Sequence, residues 1–284
     1  MKTTHLLVLI GINILWGMNF VAAKIGTTEF GPFLFTTLRF AIVLVLLCGF
    51  IRWPGKQIWN VVTMSLVQGV AHYSLVFYAI YLTESVSSLA IVTQLVVPFS
   101  TILAVLLLKE SIGVPRIVAI TVAFAGVAIM SFEPLGPQHI HGILITLVGT
   151  FCIAYSTIVM RRMQNVGVFN LQAWIALIAT PIMGLLTWII ESPTLDTFTE
   201  PDLLAYWAPA YAGIAATIIG HGLLYWFIQR YTINSVAPFI TLSVVFGVLF
   251  SILFLDDVLT LRILIGGLLT LLGVTVVALR NRRL

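Results

Sequence analysis

A chain of 284 residues with 60% hydrophobic and only 8% charged side chains lies far from the roughly one-quarter charged content of soluble domains, which excludes a soluble globular fold. The formal net charge of +4 does not imply a nucleic-acid partner, because the basic residues sit at the ends of apolar runs instead of forming one patch.

Runs of about 20 apolar residues, the length that carries a helix across a hydrocarbon core of roughly 30 Å, follow one another nearly end to end. They predict an all-α integral membrane protein with ten transmembrane helices, at roughly 4–25, 31–51, 58–82, 85–108, 114–132, 141–160, 170–191, 203–228, 234–255 and 261–280. A cytoplasmic N-terminus places Lys2, Arg52, Lys56, Lys109, Arg116, Arg161, Arg162, Arg230, Arg280, Arg282 and Arg283, 11 of the 14 basic residues, on one side. By the positive-inside rule both termini are cytoplasmic, in the inner membrane of a cell. A cleaved signal peptide fits poorly, since Trp16 and Asn19 interrupt what would be its apolar core.

In the first span Asn13, Trp16, Gly17, Phe20 and Lys24 recur at spacings of three and four, on one helical face. That face either lines a polar path or packs on a neighbour while Lys24 snorkels to the outer surface; Asn19 points elsewhere. Arg39 is the basic residue deepest in a span, and it either binds an anionic group or is pinned structurally. The third span carries Gln68 and His72 one turn apart, and the eighth carries Thr217, His221 and Tyr225 at the same spacing. Neutral imidazoles there can both donate and accept, or serve as hydrogen-bonded core residues. In the fourth span Gln94 precedes Pro98 by four residues, so its carbonyl loses a helical donor and a hinge is expected at Pro98.

The segment 108–130 aligns without gaps on 255–277 at a shift of 147, pairing Glu110 with Asp257 and Gly126 with Gly273. At a shift of 149 His72 meets His221, and at the shift of 147 Thr241 falls where Gln94 stands. Five spans per half force the second copy to enter the membrane inverted, which gives two repeats, 1–136 and 137–284. No metal or cofactor is expected: Cys48 and Cys152 lie inside spans, and the HxH pair His139 and His141, assigned to an outer loop, lacks further ligands. HExxH, GxSxG and GxxxxGK[ST] do not occur, so an enzyme is not expected.

With these motifs in view, the chain resembles the drug/metabolite transporter superfamily, specifically the ten-span EamA-type bacterial exporters. WGMNFVAAK at 16–24 is similar to the family's first-span signature, LRF at 38–40 to its second, LVVPFSTILAVLLLKESI at 95–112 to its fourth, and GVAIM at 126–130 to the end of its fifth. In the second copy Pro98 becomes Val245, Glu110 becomes Asp257 and Trp16 corresponds to Tyr155. The resemblance implies alternating access and export of small metabolites such as amino acids and their derivatives. It also puts spans five and ten at the periphery, where a homodimer contact is allowed. Trp16, Asn19, Gln68, His72, Gln94, Tyr155, His221, Tyr225 and Thr241 are then the expected substrate-binding residues. The alternative is a passive channel or lipid-handling membrane protein without such a cycle.

Overall fold

The computed structural model describes residues 3–163, 166–201, 203–230 and 241–280. Every regular element among them is helical. The helices are α1 (Thr3–Phe30), α2 (Pro32–Leu47), α3 (Ile58–Met64, a π-helical segment Ser65–His72, then Tyr73–Leu82) and α4 (Val86–Thr93, then Val96–Leu108). They continue with α5 (Val114–Ser131), α6 (Pro137–Arg162) and α7 (Val168–Leu186, extended by a π turn Thr187–Glu191). After the short helix Asp196–Thr199 come α8 (Leu203–Tyr206, Trp207–Tyr211, the π segment Ala212–His221, then Gly222–Arg230), α9 (Leu242–Leu255) and α10 (Leu261–Arg280). Among the described residues eight helices, α1 to α7 and α10, are long and apolar enough to cross a membrane, while α9 is shorter. The start of the expected ninth span, 234–240, lies outside the described residues.

Several expectations need correction. The first span was expected to end at 25, but α1 runs to Phe30 and stops only where Gly31 (φ 82°) and Pro32 punctuate the chain, so Lys24 lies inside the helix. His139 is not in a loop: α6 starts at Pro137, and His139, 1% exposed, donates from Nε2 to Met130 O at 3.0 Å. The break in α4 falls at Gln94 and Leu95, ahead of Pro98. Pro98 has no N–H to give back and its ring crowds the Gln94 carbonyl, so the chain turns early and Gln94 O accepts Val97 N–H instead, at 3.2 Å. Pro98 then occupies the tolerant first turn of Val96–Leu108.

The packing is reciprocal under the shift of 147. Gly126 of α5 abuts Gly266 and Thr270 of α10, while Gly273 of α10 abuts Ala119 and Ala123 of α5. The two partners of Gly273 are the counterparts of the two partners of Gly126. Thr270 and its own counterpart Ala123 touch through a hydroxyl-to-carbonyl hydrogen bond of 3.2 Å. Helices α4 and α9 end alike: Lys109 (φ 57°) and Asp256 (φ 53°) take the left-handed conformation, and the next amide bonds back to Ala104 O and Ser251 O, 3.3 Å in both. Each of these bonds spans six residues, one more than the 6→1 bond of a Schellman stop, and in neither helix is the left-handed residue a glycine. Likewise α3 packs on α6 and α7 as α8 packs on α1 and α2.

The α2/α7 pair is clasped at both ends. Glu191 accepts Phe33 N–H and Leu34 N–H at 2.7 and 2.8 Å, which satisfies orphan amides at the start of α2 with a carboxylate favoured by the helix dipole. At the opposite end Asn170 Oδ1 accepts Arg52 N–H at 2.9 Å and Trp174 Nε1 donates to Arg52 O at 3.0 Å. The expected peripheral helices, α5 and α10, do pack on each other and turn Val118, Leu264, Leu268 and Leu272 outward, exposed. The ion pair Arg161–Glu110, 2.7 Å, joins side chains 54% and 38% exposed. Surface pairs contribute about 0–1 kcal/mol, so Glu110→Gln is expected to move the thermal midpoint of purified protein by no more than about 3 °C.

Candidate functional site

Two of the three π-helical stretches among the described residues end on the two histidines singled out in the sequence, His72 in α3 and His221 in α8. Widened turns of this kind redirect carbonyls and side chains, and they recur at functional sites. In α8 the Ala216 carbonyl accepts both the Trp16 indole N–H at 3.0 Å and the His221 Nδ1–H at 3.1 Å. The Trp16 and His221 rings lie 5.4 Å apart, and Gly220 admits the indole, since a Cβ there would lie 2.6 Å from Trp16 Nε1. His72 donates from Nδ1 to Gly149 O of α6 at 2.8 Å. A carbonyl partner requires the proton on Nδ1, so Nε2 of each imidazole is left as an acceptor. His72 and His221 are within electrostatic reach of each other and of Arg39.

Arg39 is 1% exposed. Its Nε and Nη2 donate to Thr217 Oγ1 at 3.2 and 2.7 Å, and the guanidinium lies 4.2 Å from the Tyr73 ring centroid. The Thr217 hydroxyl gives its own proton to Ala212 O, five residues back, at 2.7 Å. That π-type spacing leaves the oxygen's lone pairs for the arginine. Gln172 of α7 joins through Nε2 to Thr217 O at 3.4 Å.

The structure thus brings together Trp16, His221, His72 and Arg39. It does not gather every expected residue there. The face Trp16–Gly17–Phe20–Lys24 does not line one path: Gly17 is pressed on the α9 backbone at Phe246 and Gly247, and Phe20 packs on Gly247. Lys24 neither snorkels nor faces a central site; its ammonium caps the end of α3, donating to Ile80 O, Tyr81 O and Thr83 O at 3.1, 3.3 and 2.8 Å. Tyr155 packs with Leu103, Ala104 and Ile158 between α4 and α6. Gln94 is buried at the break in α4, Gln68 is half-buried in the α3 π segment, and Asn19 is half-buried with Oδ1 unpartnered. Thr241 immediately precedes α9, half-buried. The Tyr225 side chain lies outside the described residues. Gln172 escaped the sequence reading, and a lone amide one turn into a span carries no motif that would have marked it.

At the Lys24 end a cavity of about 340 Å³ is lined by Lys24, Glu84, Ser85 and the turn Leu255–Val258. Beside it Asp257, 8% exposed, accepts Ser87 N–H at 2.6 Å at the start of α4. At the Arg52 end a cavity of about 710 Å³ lies between residues 50–57 and 167–170.

Known proteins match along the whole chain. It is 27% identical to a "Probable amino-acid metabolite efflux pump" of Salmonella typhimurium over 96% of this chain and 94% of that protein. A protein of the same name from Escherichia coli is equally similar, with the same coverage. An uncharacterized transporter of Archaeoglobus fulgidus is 28% identical, over 92% of this chain and 94% of that one. A crystal structure with 17% identity covers 100% of this chain and 99% of its own at a TM-score of 0.65, a likeness of fold alone. The model of the EamA-like transporter family matches twice, at residues 3–132 and 140–279. A multi-pass helical membrane protein matched over nearly its whole length in this way belongs to the EamA-like transporter family.

Proposed function

We propose that the protein is a carrier that exports small metabolites, amino acids or their derivatives, from the cytoplasm by alternating access. It has ten spans in two inverted repeats, 1–136 and 137–284, with both termini cytoplasmic in the inner membrane. What carries the reading is the reciprocal packing under the shift of 147: two halves related in this way can exchange conformations, so that closing one end opens the other. The efflux pumps' names support the substrate class. Trp16, His72 and His221 form the wall of the binding region, with Gln68, Gln94, Asn19, Tyr155, Tyr225 and Thr241 completing it as the halves move. The exposed outer face of α5 and α10 meets lipid or a second copy of the chain.

Counterflow in proteoliposomes tests the carrier step. Unlabelled amino acid inside is expected to accelerate uptake of the labelled form, with saturation, whereas a channel shows no such acceleration. Alanine at Trp16 or at His221 is expected to lower the exchange rate roughly tenfold, about 1.4 kcal/mol. Because both side chains hang on Ala216 O, the double variant is expected to be little worse than either single one. Unchanged rate and half-saturation for His72→Ala, Gln94→Ala and His221→Ala together would remove these residues from the substrate path.

A further inference from the structure

Two buried side chains with opposite needs converge on Thr217. Arg39 bonds the hydroxyl and Gln172 the carbonyl of this residue. Each keeps one buried atom without a partner: a donor, Nη1, on Arg39, and an acceptor, Oε1, on Gln172. The two side chains are 1% and 8% exposed. Among the described residues no carboxylate lies within ion-pair distance of Arg39, and the ion pair found there is the remote Arg161–Glu110. The rings of Tyr73, Phe77 and Phe40, 4.2, 5.4 and 5.7 Å from the guanidinium carbon, attract the charge but accept no conventional hydrogen bond in the guanidinium plane, and the neutral Tyr73 hydroxyl, which also favours the charged guanidinium, leaves Nη1 without a partner. A buried cation without a counter-anion and a buried amide oxygen without a donor are both costly, and one ligand relieves both if it carries a negative and a positive group close together.

We infer that Arg39, Thr217 and Gln172 anchor the head group of a zwitterionic substrate, its carboxylate on Arg39 Nη1 and its ammonium on Gln172 Oε1. A simple anion would satisfy the arginine alone, and a simple amine the glutamine alone. Thr217 holds the two groups in register from the π segment of α8, which also carries Trp16's partner His221. In the conformation described the three residues are covered, so substrate meets them when one end of the bundle opens. The inference rests on the carrier reading and adds the chemistry its substrate must present.

The experiment is counterflow of labelled L-threonine, L-leucine, L-phenylalanine, acetate, putrescine and adenine in proteoliposomes. Each amino acid exchanged is then competed by its free form, its methyl ester (no carboxylate) and its N-acetyl derivative (no ammonium). In the wild type both derivatives are expected to inhibit at least tenfold more weakly than the free amino acid, as a site built on buried hydrogen bonds rejects analogues that leave them unpaired. In Arg39→Gln the ester penalty is expected to shrink to within about twofold while the N-acetyl penalty stays; Gln172→Leu is expected to do the reverse. A merely structural role would lower all three together. If either variant fails to run as folded protein on gel filtration, Arg39→Lys and Gln172→Asn take its place, with the corresponding penalty weakened and the other kept. Equal inhibition by all three forms in the wild type, or penalties untouched by the variants, overturns the inference. Exchange of acetate, putrescine or adenine without any amino acid overturns it and leaves the carrier reading standing; no exchange at all by folded protein overturns both.

Discussion

Gly273→Leu is expected to leave little protein that migrates as a single folded species. A Cβ at this position would lie 2.5 Å from Ala119 O and 2.7 Å from Ala123 N, both backbone atoms of α5. A flexible side chain can swing aside, but a helix backbone cannot, so α5 and α10 must separate along the contact. Overpacking costs about 1–3 kcal/mol where side chains can adjust. Here at least the upper figure applies, because small residues that bring helix backbones together supply the association energy of membrane helices. Fluorescence-detected gel filtration after heating should show the midpoint lowered by roughly 10 °C or more. Gly11→Leu is the control: nothing lies within 4 Å of a Cβ there, so its profile should match the wild type. Matching profiles for both variants would refute the backbone contact.

Asp257→Ala is expected to open the Lys24 end of the molecule. The carboxylate accepts Ser87 N–H at 2.6 Å, and Lys24, within its electrostatic reach, fastens α1 to the last carbonyls of α3 beside it. Losing a charge-assisted bond at a buried helix start costs about 1.5–3 kcal/mol, which shifts a closed-to-open ratio about tenfold to a hundredfold. In a background with Cys48 and Cys152 replaced by serine, a cysteine at Val86, 0% exposed, reports the opening through its rate of maleimide labelling. The rate should rise at least tenfold with Asp257→Ala and less with Asp257→Asn, whose amide oxygen still accepts. An unchanged rate would mean that this bond does not hold the end shut.

Much of the architecture was legible because hydropathy alone fixes where helices run in a lipid-facing chain. The helix ends were less so. α1 overran its expected stop because glycine and proline, not the polarity of Lys24, terminate it, and α4 broke ahead of Pro98 because proline disrupts the turn before itself. At the candidate site Trp16 and His221 each stood out in the sequence as unusual for a span, though not as a pair. The junction at Thr217 did not. A helical wheel assumes 3.6 residues per turn, whereas the bonds of Thr217 to Ala212 and of His221 to Ala216 each span five residues. The widened turns change the phase of every side chain beyond them, and no local residue pattern announces them.

The interleaved glycines of α5 and α10 also set a timing problem for synthesis. The α5 surface at Ala123 has its partner 147 residues further along the chain, as the Thr270–Ala123 bond measures. At about 5–20 residues per second, α5 emerges from the ribosome roughly 7–30 s before α10. Through that interval its small-residue groove is open to any passing helix, including the α5 of another nascent copy. The same groove that locks the finished molecule is therefore where mispairing during biogenesis would begin, and a chain stalled before residue 261 would be left with that groove permanently unfilled.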